Sequence, residues 1–221
     1  MKKISFIING VKNPRKTIAY ILKLIDSRFL ITARSRARGK GERIIVDDWS
    51  SARDSKDFTL LAHIQRYEWV LPMVRGMYIL DDGCGTGYGT YYLACNGVKH
   101  IIGIDISKNA ISYAKKHYRK RNLEYRVMDG CDLEFEDGTF DAIISFDVLE
   151  HLNSNDQEKF CAEAMRVLKQ NGVFIVGLPN AKASLKGNPF HLKELTLEEF
   201  QTIIEKLLLN DCAFWPGYFS E

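Results

Sequence analysis

The stretch 77–90, MYILDDGCGTGYGT, constrains this chain more than any other. A short apolar run, Tyr78-Ile79-Leu80, ends on two acids, Asp81 and Asp82. Four glycines follow at alternate positions: Gly83, Gly85, Gly87 and Gly89. The run has the length and composition of a buried parallel strand. Glycines just past a strand permit a tight turn, and a ligand can then lie on backbone and on the next helix N-terminus.

The details of the turn discriminate among nucleotide ligands. A phosphate-cradling loop needs a Lys-Ser/Thr pair after its last glycine, and none is present. The dinucleotide fingerprint is G-x-G-x-x-G, whereas this turn is G-x-G-x-G with acids in front. A carboxylate at the strand end repels a pyrophosphate and attracts an ammonium or sulfonium cation. A nicotinamide-dependent oxidoreductase is therefore disfavoured, and a zwitterionic, cationic cofactor is expected.

The run Ile79-Leu80-Asp81-Asp82-Gly83-Cys84-Gly85-Thr86-Gly87 resembles motif I of the class I S-adenosylmethionine-dependent methyltransferases. Asp82 is a departure, since that family more often has a small or apolar residue there; it is expected to point at solvent or to reshape the methionine end of the site. The resemblance implies S-adenosyl-L-methionine as cofactor. It also implies an α/β, Rossmann-like, doubly wound and mostly parallel sheet of six or seven strands. Residues 46–221 would form this domain, and residues 1–45 a basic, partly helical N-terminal extension.

Charge supports the division. Residues 1–45 hold twelve Lys/Arg against Asp26 and Glu42, while the remainder has 19 basic and 26 acidic residues. Such an arm can touch an anionic surface or mediate dimerisation. Ile18, Ile21, Leu22, Ile25 and Phe29 recur at helical spacing, with Asn13-Pro14 as a start signal. No apolar run approaches the ~20 residues of a membrane helix. The apolar start stops at Asn9-Gly10 without a small-residue cleavage site, so it does not read as a signal peptide. Five scattered cysteines without C-x-x-C suggest neither zinc nor disulfides, and fit a reducing cytoplasm.

Residues 56–76 read as a helix with Leu60, Ile64, Tyr67, Leu71 and Val74 buried and Gly76 as C-cap. His63, Arg66, Tyr67 and Val70 lie on an adjoining line that could lean over the ligand. The H-x-x-R-Y pattern resembles a segment preceding motif I in bacterial-type small-molecule and sugar methyltransferases. It implies that Arg66 holds the cofactor carboxylate, with Tyr67 beside it.

After a helix over 88–96, residues 100–105 (HIIGID) form the second strand. An acid at this strand end, Asp105, accepts from ribose hydroxyls in nucleotide-binding folds, and Ile106 is placed to pack on adenine. Ser107 can cap the helix 108–121. Residues 123–128 form the third strand, ending at Asp129-Gly130-Cys131. The resemblance implies that Asp129 accepts from the adenine amino group. Residues 140–146 (FDAIISF) form the fourth strand, so Phe146, Asp147, Glu150 and His151 face the site or its rim. No N-P-P-[YF] or Pro-Cys follows, which argues against methylation of DNA bases. Ser154 to Gln157 resembles a capping box, residues 173–178 form the fifth strand, and 211–215 the sixth. A seventh, antiparallel strand would need to fit within the residues that follow, through Phe219.

The loop N-P-F-H-L-K-E, containing His191, resembles one bordering the substrate pocket in the same group. The expected chemistry is methyl transfer to a small-molecule or sugar-type acceptor, most readily on oxygen. His151 and His191 are the candidate bases, with Glu150 or Asp147 as orienting or alternative bases. The reaction itself demands no metal, and no metal ligands are assigned from spacing. A non-catalytic cofactor-binding scaffold of the same fold is the alternative.

Overall fold

Alternating apolar strands and amphipathic helices place a twisted sheet between two helical layers. The computed structural model describes residues 6–13, 16–23, 58–179 and 190–212. The elements are β1 (Phe6–Asn13), β2 (Lys16–Lys23), α1 (Phe58–Val74), β3 (Tyr78–Asp82), α2 (Tyr88–Cys95) and β4 (His100–Asp105). They continue with α3 (Lys108–His117), β5 (Leu123–Val127), β6 (Phe140–Phe146), a 3-10 helix (Leu149–His151), α4 (Ser154–Val167), β7 (Leu168–Pro179) and α5 (Leu197–Cys212).

The sheet order is β1-β2-β7-β6-β3-β4-β5. Only the β1–β2 pair is antiparallel among these. The chain leaves β3 in one direction through β4 and β5, then returns to β3's other side as β6. The order therefore reverses between β3 and β6, where open α/β sheets form a ligand crevice at the strand carboxyl ends.

Strand alternation sorts side chains to the two layers. Ile79, Ile101, Ala142, Ile144 and Ile175 pack with Ile64, Val70, Leu93 and Ile111 from α1, α2 and α3. Leu80, Ile102, Ile143 and Phe174 pack with Phe160, Ala164, Phe200 and Ile204 from α4 and α5. The same alternation sends Asp81 toward the first layer and Asp82 toward the second. These five central strands and their helices match the expected α/β, Rossmann-like class.

Several expectations are corrected. Residues 16–23 form β2 rather than the first turns of a helix over 18–29. The stretch TIAYIL is rich in β-branched and aromatic residues, and β7 offers a parallel partner in the register Ile18↔Phe174. Tertiary pairing thus overrides a helical period seen over a few positions. Phe6–Asn13 of the same extension form β1, antiparallel to β2, and its other residues lie outside the described residues. Asp211 and Cys212, expected in a sixth strand, end α5 instead; residues 213–219 lie outside the described residues. The N-cap of α4 is Asn153, whose side chain accepts from the N–H groups of Asn155 and Asp156, rather than Ser154. By contrast Thr196 and Glu199 exchange reciprocal side chain–backbone bonds at 3.2 and 2.8 Å, as a capping box requires. Among the described residues no helix is long and apolar enough to cross a membrane.

Candidate functional site

The glycine turn joins β3 to α2 at the centre of the carboxyl rim. Gly85 and Gly87 have φ of 55° and 84°. A Cβ on Gly85 would meet nothing within 4 Å, so its backbone faces open space. A Cβ on Gly87 would lie 2.7 Å from Ala114 and from the Tyr125 ring, whose hydroxyl donates to Gly87 O at 2.7 Å. The turn is thus tied down on its protein side and open on the other. Beneath it, Gly83 abuts Val148, and Cys84 is buried against Gly103.

Two carboxylates support this turn from the same sheet face. Asp105 Oδ2 accepts from Gly85 N–H at 3.0 Å, and Oδ1 accepts from Ser107 N–H at 2.8 Å. A carboxylate has about four acceptor positions, so this one retains capacity for a ligand's hydroxyls. Asp81 is buried and accepts from Thr90 Oγ1 at 2.6 Å and from the Tyr67 hydroxyl at 3.3 Å. Burial pushes its carboxyl up to about 7, against the lowering effect of those two hydroxyls. Thr90 is a partner that the sequence reading missed; its position on α2, nine residues past Asp81, was the available signal.

Asp82 does not point at solvent. It is 3% exposed, and Oδ2 has no hydrogen-bond partner. Both its oxygens lie within 2.8 Å of where a Cβ on Gly130 would sit. Burial, then the neighbouring Asp81, Asp129 and Asp105, raise its carboxyl well above the usual range. Asp129, at the end of β5, is exposed and accepts from Cys131 N–H at 2.9 Å. Ile106 is 71% exposed next to Asp105, a large apolar side chain presented at the rim.

The rim therefore offers a glycine turn open to a ligand, three acids from three successive strands, and an exposed apolar side chain for a flat ring. That set suits an adenosyl amino acid with a cationic centre. Residues 80–176 match Methyltransf_11, a methyltransferase domain family. A probable S-adenosylmethionine-dependent methyltransferase of Mycobacterium tuberculosis is 30% identical over 169 residues, covering 74% of this chain and 58% of the relative. Residues 80–176 carry a class I S-adenosylmethionine-dependent methyltransferase domain, and the chain spans a little over half the length of the mycobacterial relatives it matches.

Other comparisons agree on the architecture. A phosphoethanolamine N-methyltransferase of wheat is 35% identical over 109 residues, 48% of this chain and 21% of that protein. The YcgJ protein of Bacillus subtilis superposes with a TM-score of 0.55 at 22% identity, over 65% of this chain and 67% of its own. The [4+2]-cyclase SpnF superposes with a TM-score of 0.59 at 20% identity, over 82% and 66% respectively. S-adenosyl-L-methionine is the cofactor that goes with this family.

On the β6 side, the rim is built from side chains distant in sequence. Arg66 is 2% exposed and donates from Nη1 to Asp147 Oδ2 at 2.5 Å; its Nη2 is buried without a hydrogen-bond partner. His63 lies on the same carboxylate, Nε2 to Oδ2 3.3 Å, and contacts the Tyr88 hydroxyl at 3.1 Å. Burial lowers the Arg66 pKa, but the Asp147 charge and hydrogen bond outweigh it and leave the guanidinium raised. Asp147 takes a φ of 55°, uncommon for a residue with a Cβ. Phe146 is buried beneath this pair, with Arg66 5.7 Å above its ring and Tyr67 edge-on at 5.3 Å. Tyr67 and Phe146 thus stand behind Asp81 and Arg66 in the core rather than on the open rim.

His151 and His191 come together, with ring centroids 5.2 Å apart at 82°. His151 Nδ1 lies 2.9 Å from Phe190 O, and His191 Nδ1 lies 2.5 Å from Glu194 Oε1. Glu194 was missed by the sequence reading; its place three residues past His191 was the only cue.

Proposed function

We propose that this methyltransferase moves the methyl group of S-adenosylmethionine to a small-molecule or sugar-containing acceptor, on oxygen. The observation that carries the reading is the juxtaposition of the open Gly85 turn, the Asp81–Asp105–Asp129 rim and the paired His151 and His191. In-line displacement at a sulfonium carbon needs alignment and a dry cavity more than added activation.

The cofactor supplies an already activated methyl group. Asp105 accepts from the ribose hydroxyls, Ile106 covers the adenine, and Asp129 with Gly130 meets its amino edge. Gly83, Cys84, Gly85 and Gly87 shape the floor. Asp81 places negative charge beneath the cationic end, held there by Tyr67. The orphaned Nη2 of Arg66 is suited to the cofactor carboxylate, with Phe146 supporting the guanidinium. His151 or His191 takes the proton that an acceptor hydroxyl gives up. The basic residues among 1–45 would touch an anionic surface or a second copy.

A nitrogen acceptor is the second reading, favoured by the similarity to a phosphoethanolamine N-methyltransferase. The fold alone does not decide for transfer, since a cyclase shares it. Incubating the protein with radiolabelled S-adenosylmethionine and panels of hydroxyl and amine acceptors tests both. Label in hydroxyl acceptors supports the first reading, and label confined to amines supports the second. Tight S-adenosylhomocysteine binding with no turnover on either panel would leave a cofactor-binding scaffold.

A further inference from the structure

Beyond the methyl-transfer reading, we propose that Glu150, His151 and His191 form a site for a divalent transition-metal ion of the Zn2+ or Mn2+ class. One ligand atom from each of the three lies within 4.8 Å of the others. Donors around such an ion sit at about 2.0–2.2 Å from it. Small side-chain rotations would therefore close the set.

The three residues are held by structure rather than by chance proximity. Glu150 and His151 are adjacent on the 3-10 helix, and Glu150 is 3% exposed. The segment bearing His191 is fastened to that helix: Leu192 and Lys193 N–H groups donate to Glu150 O at 2.8 and 3.2 Å. Fully buried Gln157 ties the two together, donating to Leu149 O at 2.8 Å and Lys193 O at 2.9 Å.

Both imidazoles are oriented as metal-binding histidines are. Phe190 O can only accept, so His151 carries its proton on Nδ1 and has its lone pair on Nε2. Glu194 engages His191 Nδ1 in the same manner, forming a carboxylate–histidine pair of the kind that fixes a ligand's tautomer and raises its basicity. Asp147, the nearest acid in sequence, is outside the cluster because Arg66 and His63 hold it. Two imidazoles and one carboxylate suit Zn2+, Mn2+ or Fe2+ better than Mg2+, and leave coordination positions open. The bland alternative is a hydrogen-bonded histidine pair that serves only to anchor residues 190–194. An imidazole nitrogen that binds the ion cannot at the same time take a proton, so the proton-accepting role given to the histidines above is that of the metal-free protein.

The test uses full-length, tag-free protein stripped with a chelator. Zn2+ is titrated in competition with a chromophoric chelator, and Co2+ is followed by its visible spectrum. We expect one saturable equivalent in the wild type. His191→Ala and Glu150→Gln should abolish it, and Glu194→Gln should weaken it by about 10–100-fold. Mg2+ in excess should not displace Zn2+. S-adenosylhomocysteine affinity, measured by calorimetry, should be unchanged in Glu194→Gln, which reports a folded protein independently of the metal. No saturable equivalent in the wild type overturns the proposal. So does metal binding that survives both His191→Ala and Glu150→Gln. Either result would leave the methyl-transfer reading standing on its own assay.

Discussion

The two halves of the carboxyl rim are built by different means. On the β3–β4–β5 side, the site is mostly backbone: a glycine turn held by Asp105 at 3.0 Å and by the Tyr125 hydroxyl at 2.7 Å. Its acids lie at strand ends that follow one another in the chain. On the β6 side, the site is made of side-chain pairs that span the sequence. Arg66 and Asp147 are 81 residues apart, and His151 meets a segment 39 residues on. A backbone-built half depends on conformation and close approach. A side-chain-built half depends on charge balance in a buried setting. The first should fail by losing ligand or by local strain, and the second by losing stability.

The sharpest way to break this contrast is Asp147→Ala. It would leave the buried Arg66 guanidinium without its counter-charge, which costs about 3–5 kcal/mol where a buried pair loses one partner. Urea denaturation should show that loss, and a stability within 1 kcal/mol of wild type would place Arg66 in water. Gly87→Ala comes next, at about 3 kcal/mol. It combines overpacking against Ala114 and Tyr125 with a left-handed backbone that a Cβ disfavours. Thermal unfolding measures it, and cofactor affinity should fall alongside.

Asp105→Ala should weaken S-adenosylhomocysteine binding by about 1–3 kcal/mol, through lost charge-assisted bonds to the ligand and a loosened Gly85. Its unfolding transition should move less than that of Asp147→Ala; the reverse order would invert the contrast. Thr196→Ala, a cap remote from both halves, should cost about 1 kcal/mol and leave ligand binding alone.

The last signal is a slope with pH, spread over several units rather than read at one condition. Asp81 titrates near 3.8 in an unfolded chain and at about 7 when folded, so the folded state holds the extra proton between those values. The resulting stability is full below about 4 and is lost as pH rises through about 7. Asp82, also raised, adds to the same trend. Melting curves of Asp81→Asn without cofactor should therefore be flatter across pH 4–8 than those of wild type. Because a cationic ligand favours the ionised carboxyl, wild-type cofactor affinity should rise through the same window. Identical slopes in the two proteins would remove Asp81 from the linkage.

Much of the fold was legible. β4 and β6 fall on the expected residues, because continuous β-branched and apolar runs between turn signals leave little choice. Thr196-Leu197-Glu198-Glu199 also carries the capping-box spacing within four consecutive residues. Errors fell where a neighbour in space decides. The stretch 16–23 carries an ambiguous period until β7 offers it a ladder. Cys212 reads as strand-like but continues a helix whose apolar face is already docked. Asp82 looked like a candidate for solvent because nothing local announces that Gly130 and Phe160 close over it.

From sequence alone came the α/β order, the cofactor class and the acids at three strand tips, since these depend on local period and on chemistry within a few residues. Only tertiary structure decided that Arg66 faces Asp147, that Tyr67 and Phe146 sit behind the rim, and that Glu150, His151 and His191 share one place. The reason is physical: local patterns fix which way a strand or helix faces, but the meeting of side chains far apart in the chain is set by how layers pack.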